Sequence, residues 1–192
     1  MDLTGKRLVV TGGAGFVGSN LARLIKPSVL LDWRNPEYLF EGDGSGLIFE
    51  DCEFVHGDIR NDEDLEKCLD FGNVDSIIHL AAIPGIKKCE EKPDLAKDVN
   101  VDGTENVLDF AKNNGIDNII FASSAGVYGE IVEQPITEKH PIDPLNLYSK
   151  TKRNGEKLCK EYAEKYGLNC TVMRMSNLYG PKFQVKPNLT VI

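Results

Sequence analysis

The chain has no hydrophobic run long enough to cross a bilayer. Its longest apolar stretch, Ser76-Ile77-Ile78-His79-Leu80-Ala81-Ala82-Ile83-Pro84, is interrupted by His79 and falls far short of the roughly 20 residues that a membrane helix needs. It also has no C-x-x-C pair. The 5 cysteines, Cys52, Cys68, Cys89, Cys159 and Cys170, are odd in number and scattered, which reads as reduced thiols buried as small hydrophobes. The 3 histidines, His56, His79 and His140, stand apart from one another, so the spacing of a metal site is missing and no metal is expected. Basic residues are in deficit: 22 Lys and Arg face 30 Asp and Glu, for a net charge of −8, and they are dispersed. Broad binding to nucleic acid or to an anionic membrane is therefore not expected. No apolar leader core with a small-residue cleavage site opens the sequence, so the expected setting is cytoplasmic. Internal repeats and low-complexity tracts are lacking too. What is present is an ordinary globular composition, 192 residues with 41% hydrophobic, enough for one sizeable core.

Short β-rich apolar runs alternate with longer amphipathic segments. Strands are predicted over 7–11, 29–32, 53–56, 76–80, 118–122 and 169–173, several of them nearly continuous in apolar residues, as in strands covered on both faces. Helices are predicted over 16–25, 63–69 (after Asn61 as a cap), 94–113 (after Pro93 and before Gly115) and 147–166 (ending at Gly167). This alternation predicts an α/β fold with a doubly wound parallel sheet and right-handed crossovers. Residues 34–51 read as an irregular surface connection. Residues 124–146, with Pro135, Pro141 and Pro144, read as a long loop, and loops of that length in compact domains are usually functional or disordered.

Between the first strand and the first helix lies Thr11-Gly12-Gly13-Ala14-Gly15-Phe16-Val17-Gly18. A strand-to-helix turn that cradles a pyrophosphate needs a positive φ, close backbone approach and a helix packed directly on the strand, and glycines supply all three. The helix start then offers N–H groups and a positive dipole end to phosphate. Asp32 closes the second strand twenty residues after Gly12, where a carboxylate accepts hydrogen bonds from an adenosine ribose and repels a 2′-phosphate. That favours NAD over NADP, with Arg34 nearby weakening the preference. Asp58 closes the third strand and is read either as an adenine contact or as a turn and cap residue.

The helix at 147–166 opens with Tyr148-Ser149-Lys150-Thr151-Lys152. Tyr148 and Lys152 are four apart and share a face. A phenol is a poor base at its ordinary pKa of about 10, and a nearby cation favours the phenolate; Lys152 is expected to play that part and to reach the nicotinamide ribose. Upstream, Ser123-Ser124-Ala125-Gly126-Val127-Tyr128-Gly129 follows the fifth strand, at the sheet edge where doubly wound folds bind ligands. A serine there can hydrogen-bond the substrate oxygen.

With these residues the sequence resembles the extended short-chain dehydrogenases/reductases, and within them the NAD-dependent epimerase/dehydratase family acting on nucleotide sugars. The resemblance also rests on Asp58-Ile59, Leu80-Ala81-Ala82, Asn100-Val101-Asp102-Gly103-Thr104 and Arg174-Met175-Ser176-Asn177-Leu178-Tyr179-Gly180-Pro181. It implies a Rossmann-like NAD-binding domain over 1–175, with 176–192 the start of a C-terminal substrate lobe that is largely missing. It implies NAD as cofactor, contacted by Gly12, Gly15, Phe16, Val17, Gly18, Asp32, Asp58, Ile59, Leu80, Ala81, Ala82, Tyr148 and Lys152. Asn100 is placed with this set, as a structural or relay residue behind the catalytic group. Ser124, Tyr148 and Lys152 would be catalytic, and Ser124, Tyr148 and Asn177 would touch a nucleotide-sugar substrate. Smaller departures from the family pattern are Thr151, Cys89 and Ser176.

Within the family, 4,6-dehydratases carry an Asp-Glu pair after the first serine or threonine, and this chain has Ala125-Gly126 there. The acid and base for water elimination are thus missing. The resemblance points to a UDP-sugar 4-epimerase, working by transient oxidation at C4 to a 4-keto sugar. A nucleotide-sugar ketoreductase or dehydratase of the same family, or a non-catalytic dinucleotide-binding module, is the alternative. The two long helices imply a possible homodimer, with Leu95, Val99, Val107, Leu158 and Tyr162 as an apolar face; the same residues could equally pack on the sheet within one chain.

Overall fold

The structure, a computed structural model, describes residues 5–26, 29–34 and 52–179. Three strands, β1 (Leu8–Thr11), β2 (Val29–Asp32) and β4 (Ser76–His79), are buried at all four positions. A strand with no polar face needs cover on both sides, and the helices supply it. With β3 (Glu53–His56), β5 (Asn118–Ser124) and β6 (Asn169–Met175) they form a six-stranded parallel sheet in the order β3-β2-β1-β4-β5-β6. Val9 lies beside Val29 on one side and Ile77 on the other. Alternation along β1 then sorts two cores. Leu8 and Val10 join Leu30 and Ile78 under Ala22 of α1 (Phe16–Ile25). On the opposite face, Val9 joins Leu31, Ile77, Ile119 and Phe121 under α5 (Gly103–Asn113) and α6 (Leu147–Tyr166). The sheet is doubly wound as expected. Strand order reverses between β1 and β4, which opens a crevice at the carboxyl ends of the strands.

β2, β3, α1 and α6 have the expected bounds. α6 starts at Asn146, whose side chain accepts the Ser149 N–H, and stops at Gly167 with φ 78°, the two signals that mark a helix start and stop. β5 and β6 each run two residues past the expected end, because Ser123 still pairs with Arg174 and Ser124 with Met175; a backbone ladder does not require apolar side chains. α2 (Asp62–Glu66) tightens into a 3₁₀ turn, Lys67–Phe71. The helix expected over 94–113 is three pieces, α4 (Pro93–Lys97), a π-helical turn (Asp98–Asp102) and α5. α3 (Ile86–Glu91) was not expected: Ile86-Lys87-Lys88-Cys89-Glu90-Glu91 has too few apolar residues to show a period. The long loop opens with a 3₁₀ turn, Ala125–Tyr128.

The apolar face considered for a homodimer is engaged within this chain. Val107 and Tyr162 are buried, Val99 and Leu158 pack on the same core, and Leu95 lines the crevice. Among the described residues no helix is long and apolar enough to cross a membrane, and no three His, Cys, Asp or Glu side chains cluster as metal ligands. Nearly all of the connection expected at 34–51, and residues 180–192 of the expected substrate lobe, lie outside the described residues.

Candidate active site

The turn after β1 is held by one acceptor. The N–H groups of Gly12 and Gly13 both donate to the Leu31 carbonyl, at 2.8 and 3.1 Å. Gly12 has φ +73°, and a Cβ there would lie 2.7 Å from the Ala81 backbone nitrogen, so both conformation and space demand glycine. Gly15 precedes α1 and has no side chain to cap it. The first-turn N–H groups, at Phe16, Val17 and Gly18, therefore have no side-chain acceptor, and these residues line a cleft of about 540 Å³.

At the end of β2 Asp32 is buried and fully engaged by backbone. Its Oδ2 accepts the Ala14 N–H at 3.0 Å and its Oδ1 the Arg34 N–H at 2.9 Å. Burial pushes its carboxyl above the usual range, against the pull of those two amides and the Arg34 charge. Asp58 settles its two readings partly in favour of the turn. It grips the Arg60 guanidinium at 2.6 to 3.1 Å and accepts the Arg60 N–H at 3.0 Å, and that contact holds its carboxyl below the usual range. It still lines the cleft, as do Gly12, Gly15, Asp32, Ile59, Leu80, Ala81 and Ala82. The site fits a dinucleotide on these observations: uncapped helix amides, a glycine turn that a Cβ would fill, and a buried carboxylate, along one cleft of suitable size.

Tyr148 and Lys152 line the other end of the same cleft. Lys152 is buried, its Nζ donates to the Ala122 carbonyl at 2.8 Å, and it sits 5.2 Å from the Phe121 ring centroid. Burial brings its pKa down to about 8. The expected lowering of the Tyr148 phenol by Lys152 is not found. Burial, aided by Cys89, pushes the phenol above its ordinary value, and the group that opposes them is Ser124 through a hydrogen bond. Lys152 is instead directed at a backbone oxygen. Ser124 Oγ also accepts the Gly126 N–H at 3.1 Å. Its neighbour Ser123 lines the cleft wall, but donates to Glu156 at 2.6 Å.

Asn100, expected with the cofactor set as a structural or relay residue behind the catalytic group, does not line the cleft. It is buried behind the wall rather than in it. Its Oδ1 accepts the Ile83 N–H at 2.7 Å, and its Nδ2 donates to the Ile83 carbonyl and to Thr151 Oγ1, at 3.2 and 3.0 Å. Thr151 in turn donates to the Tyr148 carbonyl at 2.8 Å. Asn100 thus braces the first turn of α6 from the π-helical turn, a feature frequent at functional sites. Asn177 is exposed just past β6, while Met175 and Leu178 on either side of it line the cleft.

Two further networks carry no sequence signature. Glu156, a turn beyond Lys152, accepts Arg174 Nε and Nη2 at 2.8 and 2.9 Å, Arg153 Nη1 at 2.7 Å and Ser123 Oγ. Burial alone would raise its carboxyl, and these donors together hold it below the usual range. Arg174 reaches on to Tyr128 Oη at 3.2 Å and so ties the long loop to the sheet. The second network is centred on buried His79. Thr104 Oγ1 donates to the Asn100 carbonyl, so His79 Nε2 carries the proton toward Thr104 and Nδ1 accepts from Thr11, at 3.0 and 2.7 Å. Burial, with Lys152 nearby, lowers the His79 pKa to about 3, which keeps it neutral. Among the described residues no buried side-chain nitrogen or oxygen lacks a partner.

Residues 8–191 match the NAD dependent epimerase/dehydratase family. A putative UDP-glucose 4-epimerase of Methanocaldococcus jannaschii is 40% identical over 190 residues, covering 96% of this chain and 60% of the relative. A crystal structure of UDP-glucose 4-epimerase from Brucella ovis in complex with NAD superposes with a TM-score of 0.78 at 31% identity, over 90% of this chain and 52% of that one. A double mutant of the dTDP-glucose 4,6-dehydratase of Streptomyces venezuelae, with NAD bound, gives 0.79 at 31% identity, over 92% and 57%. The chain thus spans between about half and three-fifths of the length of these relatives. With a doubly wound sheet, a glycine turn and a Tyr-Lys helix on one cleft, the chain belongs to the NAD-dependent epimerase/dehydratase family, and its cofactor is NAD.

Proposed function

We propose that this chain is the cofactor-binding and catalytic part of a nucleotide-sugar epimerase of the UDP-sugar 4-epimerase type. The observation that carries the reading is that Tyr148 and Lys152 line the same cleft as the glycine turn and Asp32, with Ala125-Gly126 in the place of the dehydratase Asp-Glu pair. Tyr148 Oη takes the proton from the C4 hydroxyl of the sugar and returns one at the close of the cycle. Ser124 Oγ steadies the reacting oxygen. Lys152, fixed by the Ala122 carbonyl, holds the nicotinamide ribose and the face of α6 that carries Tyr148. NAD, when bound, supplies the oxidant for the C4 carbon and the reductant for the 4-keto sugar. A dehydratase would need a further acid and base for elimination, and positions 125 and 126 offer neither. Asn177, beside the cleft, is assigned to the diphosphate of the substrate.

The test is incubation of the chain with UDP-galactose, with the product followed by NMR. The expected product is UDP-glucose, without net formation of reduced cofactor. Tyr148→Phe should lower turnover by about 10²–10⁴-fold while NAD stays bound. Loss of water from the sugar would make the chain a dehydratase, and stoichiometric cofactor turnover would make it a ketoreductase. Wild-type turnover in Tyr148→Phe would remove the proton-transfer role.

A further inference from the structure

Tyr148 enters the cleft beside β5. Three places away in the sheet, at the end of β2, the wall is made by Trp33, the only tryptophan in the chain. Trp33 is 63% exposed, yet its backbone is pinned from two sides. Asp32 Oδ1 holds the next N–H, at Arg34, at 2.9 Å, and His56 Nε2 donates to the Trp33 carbonyl at 2.8 Å. Asp32 and His56 are register partners at the ends of β2 and β3, and Gly57 N–H closes the corner onto the Asp32 carbonyl at 3.0 Å. The Arg34 guanidinium stands over the indole, 5.7 Å from its centroid. The indole is thus a large flat surface presented by a fixed backbone at the mouth of a cleft, next to a buried carboxylate. Tryptophan in such a setting gains most by covering a second flat, polarisable ring.

We propose that Trp33 is the platform on which the adenine base of NAD stacks. The adjoining Asp32 then meets the adenosine ribose, and Ile59 and Arg60, on the same cleft, bound the base from the side of β3. The proposal rests on NAD being the cofactor and is independent of the sugar reaction. It gives the adenine half of the cofactor a side-chain contact of its own, at the opposite end of the cleft from Lys152.

Because Trp33 is the sole tryptophan, its emission reports directly on this corner. NAD, ADP-ribose and nicotinamide mononucleotide are titrated in turn, with calorimetry in parallel. NAD and ADP-ribose are expected to change the emission, and nicotinamide mononucleotide to leave it unmoved. Trp33→Phe should bind NAD within about threefold of wild type, and Trp33→Ala about tenfold or more weaker for NAD and ADP-ribose alike. Both variants should keep the wild-type melting temperature, since the ring is exposed. Calorimetric binding of NAD with unmoved emission and an unaffected Trp33→Ala would overturn the platform. Absence of any heat with NAD would overturn the cofactor assignment itself, and the platform with it, whereas NAD binding without sugar turnover would count only against the epimerase reading.

Discussion

The β1–β3 side of the sheet and the β4–β6 side hold their site residues by different physics. On the first side the backbone does the positioning. The Leu31 carbonyl gathers two glycine amides, Asp32 is fixed by the amides of Ala14 and Arg34, and the helix amides at Phe16, Val17 and Gly18 are bare because nothing caps them. On the second side each site residue is held by a partner remote in sequence: Lys152 by Ala122, Ser123 by Glu156, Asn100 by Ile83 and Thr151, His79 by Thr11 and Thr104. A backbone-held site tolerates changes of side chain but not the addition of a Cβ. A site held by buried polar networks tolerates changes of volume but not the loss of a partner.

Glu156→Ala should show this most strongly. It leaves Arg174 and Arg153 without their carboxylate beside a buried Ser123 hydroxyl. Breaking a buried ion pair from one side costs about 3–5 kcal/mol, to be read from denaturant unfolding. The loop over 129–146 should then exchange its amide protons faster, because Arg174 no longer bridges to Tyr128 and to the Glu138 carbonyl. A loss under about 1 kcal/mol would mean that the network is ornamental and the contrast between the two sides is false.

Lys152→Met should act in the opposite direction. Burial lowers Lys152 to about 8, against 10.5 for the unperturbed group. The unfolded chain therefore holds that proton more tightly, and the buried charge costs roughly 3 kcal/mol of stability at neutral pH. The cost fades as pH rises from 8 to 10.5, so Lys152 makes stability climb over that window. The methionine variant, of similar reach and adaptable packing, should be more stable than wild type at neutral pH, lose the climb toward about pH 10, and lose turnover. Urea unfolding at both pH values checks the sign; a destabilised variant with an unchanged pH slope would show that the bond to Ala122 outweighs the burial of the charge.

The same contrast explains what was legible in the sequence. Glycine spacing with Asp32 reads directly, because a backbone-held site leaves its mark in consecutive residues. α6 reads directly through Asn146 and Gly167, and Tyr148 with Lys152 through their spacing. Glu156 does not, since only Arg153 among its partners is local and the other two lie 33 and 18 residues away. Asn100 is named by the family resemblance alone; its bonds to Ile83 and Thr151 run from a π-helical turn, Asp98–Asp102, that no residue pattern marks. Lys152 was expected to face the phenol because sequence shows side chains only, and its acceptor is a carbonyl. Trp33 carries no motif, because an aromatic residue at a strand end reads as core until its exposure is known.

The smallest effect expected, and the sharpest division, separates two glycines of one turn. A Cβ at Gly18 would land on the Gly12 carbonyl oxygen and lie 2.7 Å from the Gly13 Cα. Those atoms are backbone with nowhere to go, so Gly18→Ala should cost about 1–3 kcal/mol and weaken NAD binding by displacing α1. At Gly15 the backbone (φ −79°, ψ 173°) suits any residue, and a Cβ would meet only the Gly12 oxygen, at 3.0 Å. Alanine is the poorer N-cap, so Gly15→Ala should cost roughly 0.5–1 kcal/mol, less than Gly18→Ala. The added methyl stands on the cleft wall, where the pyrophosphate must come close, so NAD affinity should still fall by about tenfold. Calorimetry on the two variants separates packing from ligand approach. If Gly15→Ala binds NAD as wild type does, the pyrophosphate does not lie on this turn, and the uncapped amides of α1 need another explanation.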